Sequence, residues 1–177
     1  MKQFAERFPS LAKALGPQNL AILTRAMTAL DLPAGRRIIR DQMPVDSLYF
    51  ILEGEVSVLI EEEGRSISLG RLGAGEWLGE VSVLSGEMLA SSTVVASTPV
   101  KLARLKHQAF EELIQENDTI AAALLRELVA MLAARLRASN EVSRRPITVE
   151  QVNESLAATQ PVTSRGGQAW LASFFGR

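Results

Sequence analysis

The chain has 177 residues, 47% of them hydrophobic, and a formal net charge of −1, which is the composition of one folded domain with appendages. It contains no cysteine and one histidine, which excludes disulfides and thiol chemistry and argues against catalysis or a metal site at His107. The near-neutral charge gives no general attraction to nucleic acid or to anionic membranes. We find no signal-peptide pattern and no apolar run long enough to span a membrane, and we therefore expect a cytoplasmic protein.

Two short helices are predicted ahead of the main body. Apolar residues recur at helical spacing over residues 4–15 and again over residues 18–30. Gly16 and Pro17 interrupt the pattern between them.

From Asp31 to about residue 105 the pattern changes to short β-strands. Val56, Val58 and Ile60 lie at alternate positions, and the segment EEEGRS (61–66) is typical of a hairpin turn. Several short strands at regular intervals predict a closed or sandwiched antiparallel sheet.

Two helices are predicted to follow, over residues 106–117 and 118–142, with Asp118 or Thr119 as the N-cap of the second. The second helix has an apolar face that is wider than one core requires, which predicts a homodimer through residues 118–142. That face comprises Ile120, Leu124, Leu125, Leu128, Met131, Leu132 and Leu136.

The tail, residues 143–177, has a different composition. Pro146 ends the long helix, and a short helix to about residue 158 and a linker are expected after it. Trp170, Phe174 and Phe175 lie close to the end of the chain. They are interpreted either as a docking peptide for a protein partner or as a segment that folds back on its own domain or on the dimer partner.

Four segments, in this order and at this spacing, resemble the cyclic nucleotide-binding domain family, which includes the catabolite activator protein and the regulatory subunit of protein kinase A. They are PAGRRIIRDQMPVDSLYFILEGEVSVLI (33–60), GEWLGEVSVLSG (75–86), TVVASTPVKLARL (93–105) and FEELIQENDTIAAALLRELVAMLAARL (110–136). The resemblance covers residues 1–142 and implies an α+β fold. In that fold a jelly-roll-like antiparallel β-roll is flanked by amino-terminal helices and a long carboxy-terminal helix.

The resemblance also implies a phosphate-binding cassette. In the family, backbone N–H groups at the start of a short helix hold the cyclic phosphate, a glutamate accepts from the ribose 2′-hydroxyl, and an arginine closes on the phosphate. Possible ligands are therefore cAMP or cGMP, with no other cofactor and no metal. The matching positions are Gly79, Glu80, Val81, Ser82, Ala90, Ser91 and Ser92.

The chain departs from the family at the cassette arginine. That position falls on Ala90 or Leu89, and no basic residue occurs between Arg71 and Lys101. Losing a charged partner for a partly buried phosphate lowers affinity by orders of magnitude. The arginines that might reach the cassette from elsewhere are Arg71, Arg126, Arg135 and Arg137.

The sequence therefore leaves two alternative functions open. The first is a non-enzymatic regulatory module that binds a cyclic nucleotide weakly or in altered fashion, with Glu80 as the ribose ligand. The second is a ligand-free scaffold that acts by dimerisation and protein–protein interaction, with Glu80 as a structural residue. A DNA-binding regulator is disfavoured, because only 35 residues follow Val142 and they contain no basic recognition helix.

Overall fold

The structure is a computed structural model and describes residues 2–62, 65–80, 83 and 89–143. Its helices are α1 (Lys2–Arg7), α2 (Pro9–Arg25), α3 (His107–Glu116) and α4 (Asp118–Ser143). Its strands are β1 (Thr28–Leu32), β2 (Arg37–Ile39), β3 (Ser47–Glu53), β4 (Glu55–Glu62), β5 (Arg65–Gly73), β6 (Trp77–Leu78), β7 (Thr93–Ala96) and β8 (Val100–Lys106). The chain divides into two units, residues 1–135 and 136–177, and all packing described below lies within the first.

The strands form two antiparallel four-stranded sheets, in the orders β1-β8-β3-β6 and β2-β7-β4-β5. One face of the first sheet packs against the helices, and its other face packs against the second sheet. Alternation along β3 produces this division: Leu48 and Phe50 belong to the core on the helix side, and Ile51 belongs to the core between the sheets. The predicted α+β fold with an antiparallel β-roll is confirmed.

An aromatic cluster fixes the amino-terminal helices to the first sheet. The rings of Phe4 and Phe8 stack with centroids 4.9 Å apart, and Phe8 meets Phe50 edge-on at 5.4 Å. Phe50 in turn lies 4.3 Å from Trp77, which is 1% exposed. Such ring pairs add stability beyond the area they bury. They hold the short strand β6 in place directly before Gly79 and Glu80.

The turn chemistry of the roll follows the sequence closely. Strands β4 and β5 pair from Glu55–Gly73 to Glu62–Arg65, which confirms the hairpin around EEEGRS. Gly54 has φ +83°, and a Cβ at this position would lie 2.3 Å from the carbonyl oxygen of Pro99. A glycine is therefore required between β3 and β4.

The prediction of a helix over residues 18–30 is wrong at its carboxy-terminal end. Helix α2 ends at Arg25, and Thr28–Leu32 form β1, which pairs residue by residue with β8. The leucines of residues 28–32 fit either period, and pairing with β8 decides between them. Helix α2 also contains a kink at Gly16, with φ +68° and ψ 172°.

The predicted helices over residues 106–117 and 118–142 are confirmed as α3 and α4, but the N-cap is neither Asp118 nor Thr119. The N–H of Ile120 donates to Oδ1 of Asn117 at 3.0 Å, so Asn117 caps α4. Asn117 also donates to the side-chain oxygen of Asn19 at 3.1 Å, which selects this residue over its neighbours.

The apolar face of α4 is divided between core and solvent. Ile120, Leu124 and Leu128 are at most 1% exposed, whereas Leu125 and Leu132 are 47% and 38% exposed. No helix of the described residues is long and apolar enough to cross a membrane. Val81, Ser82 and the tail residues Trp170, Phe174 and Phe175 lie outside the described residues.

Candidate functional site: the cassette and its arginine

The cassette (residues 77–93) begins at a backbone crossing that only glycine can occupy. Strand β6 pairs Leu78 with Tyr49 and Trp77 with Phe50. Gly79 then turns the chain at φ +80°, and a Cβ there would lie 2.4 Å from the carbonyl oxygen of Ser47. The glycine of the Gly-Glu pair is thus fixed by close approach of two backbone segments.

A helical turn opens directly after Gly79. Glu80 and Val83 are helical, and the N–H of Val83 donates to the carbonyl oxygen of Gly79 at 3.1 Å. Val83 is 4% exposed and packs in the core on the helix side.

Glu80 is 5% exposed and is paired with an arginine from the long helix. Nη1 of Arg135 bonds Oε1 of Glu80, and Nη2 donates to the carbonyl oxygen of Trp77 at 2.7 Å. The side chain of Arg135 is 28% exposed, and its Nε is buried with no hydrogen-bond partner among the described residues. One guanidinium therefore joins α4 to both β6 and the cassette turn.

The structure distinguishes among the four arginines that the sequence offered. Arg71 is exposed on β5, and Arg126 and Arg137 are exposed on α4. Within the described part of the chain, Arg135 is the one of these four that bonds a cassette residue. Its partner carbonyl, that of Trp77, is a backbone group that carries no sequence signal.

The far wall of the cassette, residues 89–93, contains a buried alanine and no charged side chain. Ala90 is 3% exposed and packs in the core between the sheets. Its N–H donates to the carbonyl oxygen of Met43 and its carbonyl oxygen accepts from Gln42, both at 2.9 Å. Position 90 thus carries a small buried side chain, whereas Leu89, the other position matched to the family arginine, is 46% exposed.

The hydroxyl residues of the far wall also differ among themselves. Ser91 is exposed and Ser92 is half-buried, so both are accessible to a ligand. Thr93 is 1% exposed, and its Oγ1 accepts the N–H of Asp41 at 3.1 Å, which attaches the wall to the segment that follows β2.

The charge of this region is negative or neutral. Residues 72–100 include three glutamates, at positions 76, 80 and 87, and no lysine or arginine. Burial raises the pKa of Tyr49 above its ordinary value, with the positive charge of Arg104 acting against the shift, so its phenol is neutral at physiological pH. Among the described residues, no cluster of three or more metal-ligating side chains is found.

Comparisons with known proteins agree with this geometry. A model of the cyclic nucleotide-binding domain family matches residues 29–117, and the chain belongs to that family. The chain is similar to the cAMP-activated global transcriptional regulator of Escherichia coli, with 33% identity over 110 residues, which are 62% of this chain and 50% of that protein. It is also similar to glutaminase 2 of Bradyrhizobium diazoefficiens, with 32% identity over 131 residues, which are 74% of this chain and 20% of that protein.

A solved structure extends the likeness over most of the chain. The crystal structure of a cyclic nucleotide-binding domain from Methylobacillus flagellatus shares 26% identity with a TM-score of 0.69, covering 90% of this chain and 85% of that one. The chain spans half or less of the two curated relatives named above. What it shares with them is a cyclic nucleotide-binding domain of the kind that regulatory proteins carry.

Proposed function

We propose that this chain is a non-enzymatic regulatory module whose cassette binds a cyclic nucleotide, cAMP or cGMP, weakly or in altered fashion. The observation that carries the proposal is the Arg135–Glu80 contact, because it connects the residue matched to the family's ribose ligand with the long helix. The retained crossing at Gly79 and the helical turn after it support the same site. The E. coli relative is named as cAMP-activated, which is consistent with this ligand class.

The contact suggests how occupancy reaches α4. A ribose hydroxyl that donates to Glu80 competes with Arg135 for the carboxylate or shares it. Either change alters the hydrogen bonding of Arg135, whose Nη2 also holds the Trp77 carbonyl at 2.7 Å. Ligand binding and the position of α4 are therefore linked thermodynamically.

Hydrogen exchange on the full chain, with and without saturating cAMP or cGMP, tests this proposal. We expect changed protection of α4 around Arg135 as well as in β6. A thermal-shift titration run in parallel reports binding itself, since a ligand of the native state raises Tm. Ligand binding without any change in the protection of α4 would refute the coupling between the cassette and that helix.

The second candidate is a ligand-free scaffold, and the burial of Ala90 favours it. A buried alanine stands at one of the two positions matched to the family's phosphate-binding arginine, and Glu80 already has a cationic partner. In this reading the ion pair is a structural connection between roll and helix. Absence of any thermal shift with cyclic nucleotides at millimolar concentration would support it.

We further propose that the chain forms a homodimer through α4. The exposed apolar residues Leu125, Val129 and Leu132, here called the α4 seam, are spaced by four and three residues. This spacing is that of a helix that pairs with a copy of itself. Leu124 and Leu128 face the core of their own chain and do not belong to the seam.

Analytical ultracentrifugation of Val129→Lys tests the dimer. Val129 is 66% exposed, so the substitution leaves the core intact and places like charges across a two-fold seam. The matched control is Ala130→Lys, at an exposed position beside it on α4. Loss of the dimer in Val129→Lys alone supports the seam, and a monomeric parent protein refutes it.

We also propose a protein partner for the tail, no direct DNA binding and a cytoplasmic location. A protein partner at Trp170, Phe174 and Phe175 is tested by removing residues 166–177 and measuring partner capture. The predicted lack of DNA binding is tested by a mobility-shift titration on the full chain, since one relative is named as a transcriptional regulator. A cytoplasmic location is tested by cell fractionation.

A further inference from the structure

Strand β5 is the longest free edge of the two sheets. The strand order places β5 at one end of its sheet, with β4 as its neighbour among the described strands. It has nine residues, whereas the other edge strands β1, β2 and β6 have five, three and two. The residues from Arg65 to Arg71 are all exposed. An edge strand directs part of its N–H and C=O groups away from the sheet, so β5 can pair with one further extended chain.

Two large apolar side chains lie in the middle of this edge. Ile67 is 45% exposed and Leu69 is 57% exposed. Ile67 pairs with Ile60 of β4, which is half-buried. Edge strands are commonly protected by lysine, proline or a charged residue, and residues 66–70 contain none of these. The edge therefore carries apolar side chains that a paired segment would bury.

A β-bulge limits the length of that pairing. Val58 pairs with Gly70 and Leu59 pairs with Ser68, so Leu69 is the extra residue on β5. Bulges bend a strand and interrupt the pairing of edges with other chains. The regular part of the edge is therefore residues 65–68, which suits a short segment and not a long strand.

The charges of β5 favour an acidic segment. Arg65 and Arg71 are the charged residues of the strand, which has no carboxylate. Arg71 is exposed and forms no ion pair among the described side chains, and Glu61 of the adjacent strand is already paired with Arg37 at 3.6 Å. A second copy of β5 would bring the same two arginines, and like charges on paired strands are destabilising. A carboxylate in the incoming segment would instead pair with Arg71.

We infer that β5 is a docking edge for a short extended segment of a partner protein, in which acidic residues flank β-branched ones. The segment adds a strand beside residues 65–68, covers Ile67 and places a carboxylate on Arg71. This docking does not depend on a ligand in the cassette, because β5 contributes no residue to the cassette.

Amide chemical-shift mapping of the isotope-labelled full chain tests the inference with two capped peptides of alternating valine and threonine, one with glutamate and the other with lysine at both ends. We expect the glutamate peptide to shift the amides of residues 65–68 and of Arg71. At low salt it binds about tenfold more tightly than the lysine peptide, and its affinity falls as salt is raised. Equal affinity of the two peptides, shifts confined to other strands, or no shifts at millimolar peptide would each overturn the inference.

Two further arms separate charge from strand pairing. Arg71→Glu reverses the preference between the peptides, whereas Lys13→Glu, an equal change of net charge at an exposed position on α2, leaves the preference unchanged. A glutamate peptide with methylated backbone nitrogens keeps its side chains but cannot donate to the edge, and we expect it not to bind. Binding of the methylated peptide, or an unchanged preference in Arg71→Glu, overturns strand addition at β5. Shifts of the same amides when the chain alone is concentrated would identify a second copy as the occupant and overturn the acidic partner.

Discussion

The two ends of the cassette are held in different ways: the near end is Gly79 and Glu80, and the far end is Leu89 and Ala90. At the near end, Gly79 keeps a backbone crossing that tolerates no side chain, and Glu80 keeps a buried carboxylate. At the far end, Ala90 is a small core residue and Leu89 is an exposed apolar one, and the resemblance matches one of these two positions to the family's arginine. The near end is held by backbone geometry and by Arg135, and the far end by two backbone hydrogen bonds to residues 42 and 43.

The difference teaches that the backbone shape of the cassette and the charge of its side chains are set by different residues. The shape follows from glycine positions and strand crossings, which the roll needs in order to fold. Ala90 packs in the core between the sheets, so the fold requires no charged side chain at that position.

The largest expected effect is that of Gly79→Ala at the near end. The new Cβ would lie 2.4 Å from the Ser47 carbonyl oxygen at a φ of +80°. We expect a loss of about 3 kcal/mol in the free energy of unfolding, from strain at positive φ and overpacking together. Urea denaturation measures it, with Gly73→Ala as the control, because a Cβ at Gly73 meets nothing within 4 Å. Equal costs for the two variants would contradict the role given to the crossing.

Breaking the Arg135–Glu80 pair is expected to cost slightly less. Arg135→Met leaves a carboxylate that is 6% exposed without its cation, which we expect to destabilise the fold by about 2 kcal/mol. Glu80→Gln costs less, because the side chain of Arg135 is 28% exposed and reaches water. Thermal unfolding of both single variants and the double variant gives the coupling energy. A coupling energy near zero would show that the contact between Arg135 and Glu80 does not stabilise the fold.

Restoring a cation at the far end sharpens the comparison further. Leu89→Arg places the guanidinium at a position that is 46% exposed, and we expect cAMP affinity to rise about tenfold with unchanged stability. Ala90→Arg buries the charge at a position that is 3% exposed and destabilises the roll. Calorimetry and thermal unfolding of the two variants check this pair of outcomes. If Ala90→Arg folds normally and gains cAMP affinity, the expected difference between the exposed and the buried position is wrong.

The smallest expected effect concerns the support of α4. Asn117→Ala removes the side-chain bond to the Ile120 N–H and should cost about 1 kcal/mol. Asn117→Asp retains the cap oxygen and should recover most of that stability. Chemical denaturation of both variants tests the assignment. If Asp118→Ala proves the more costly substitution, the cap lies one residue later than the structure places it.

The local patterns determined much of the fold. The hairpin at residues 61–66 and the helices after residue 106 follow from alternation, glycine placement and helical spacing, which act over a few residues. The family resemblance added the β-roll architecture and the position of the cassette, including the Gly79-Glu80 pair. Strand β1 was missed because Thr28–Leu32 form a strand only through pairing with β8, about 70 residues away along the chain.

The sequence by itself determined that the cassette has no cation of its own, because that follows from the absence of lysine and arginine between Arg71 and Lys101. It offered four arginines as replacements and had no means of ranking them. Only the tertiary structure decided for Arg135, since the packing of Ile120, Leu124 and Leu128 sets the rotation of α4 and thereby the direction in which Arg135 points. The same rotation left Leu125, Val129 and Leu132 exposed, which no spacing rule distinguishes from the buried leucines beside them.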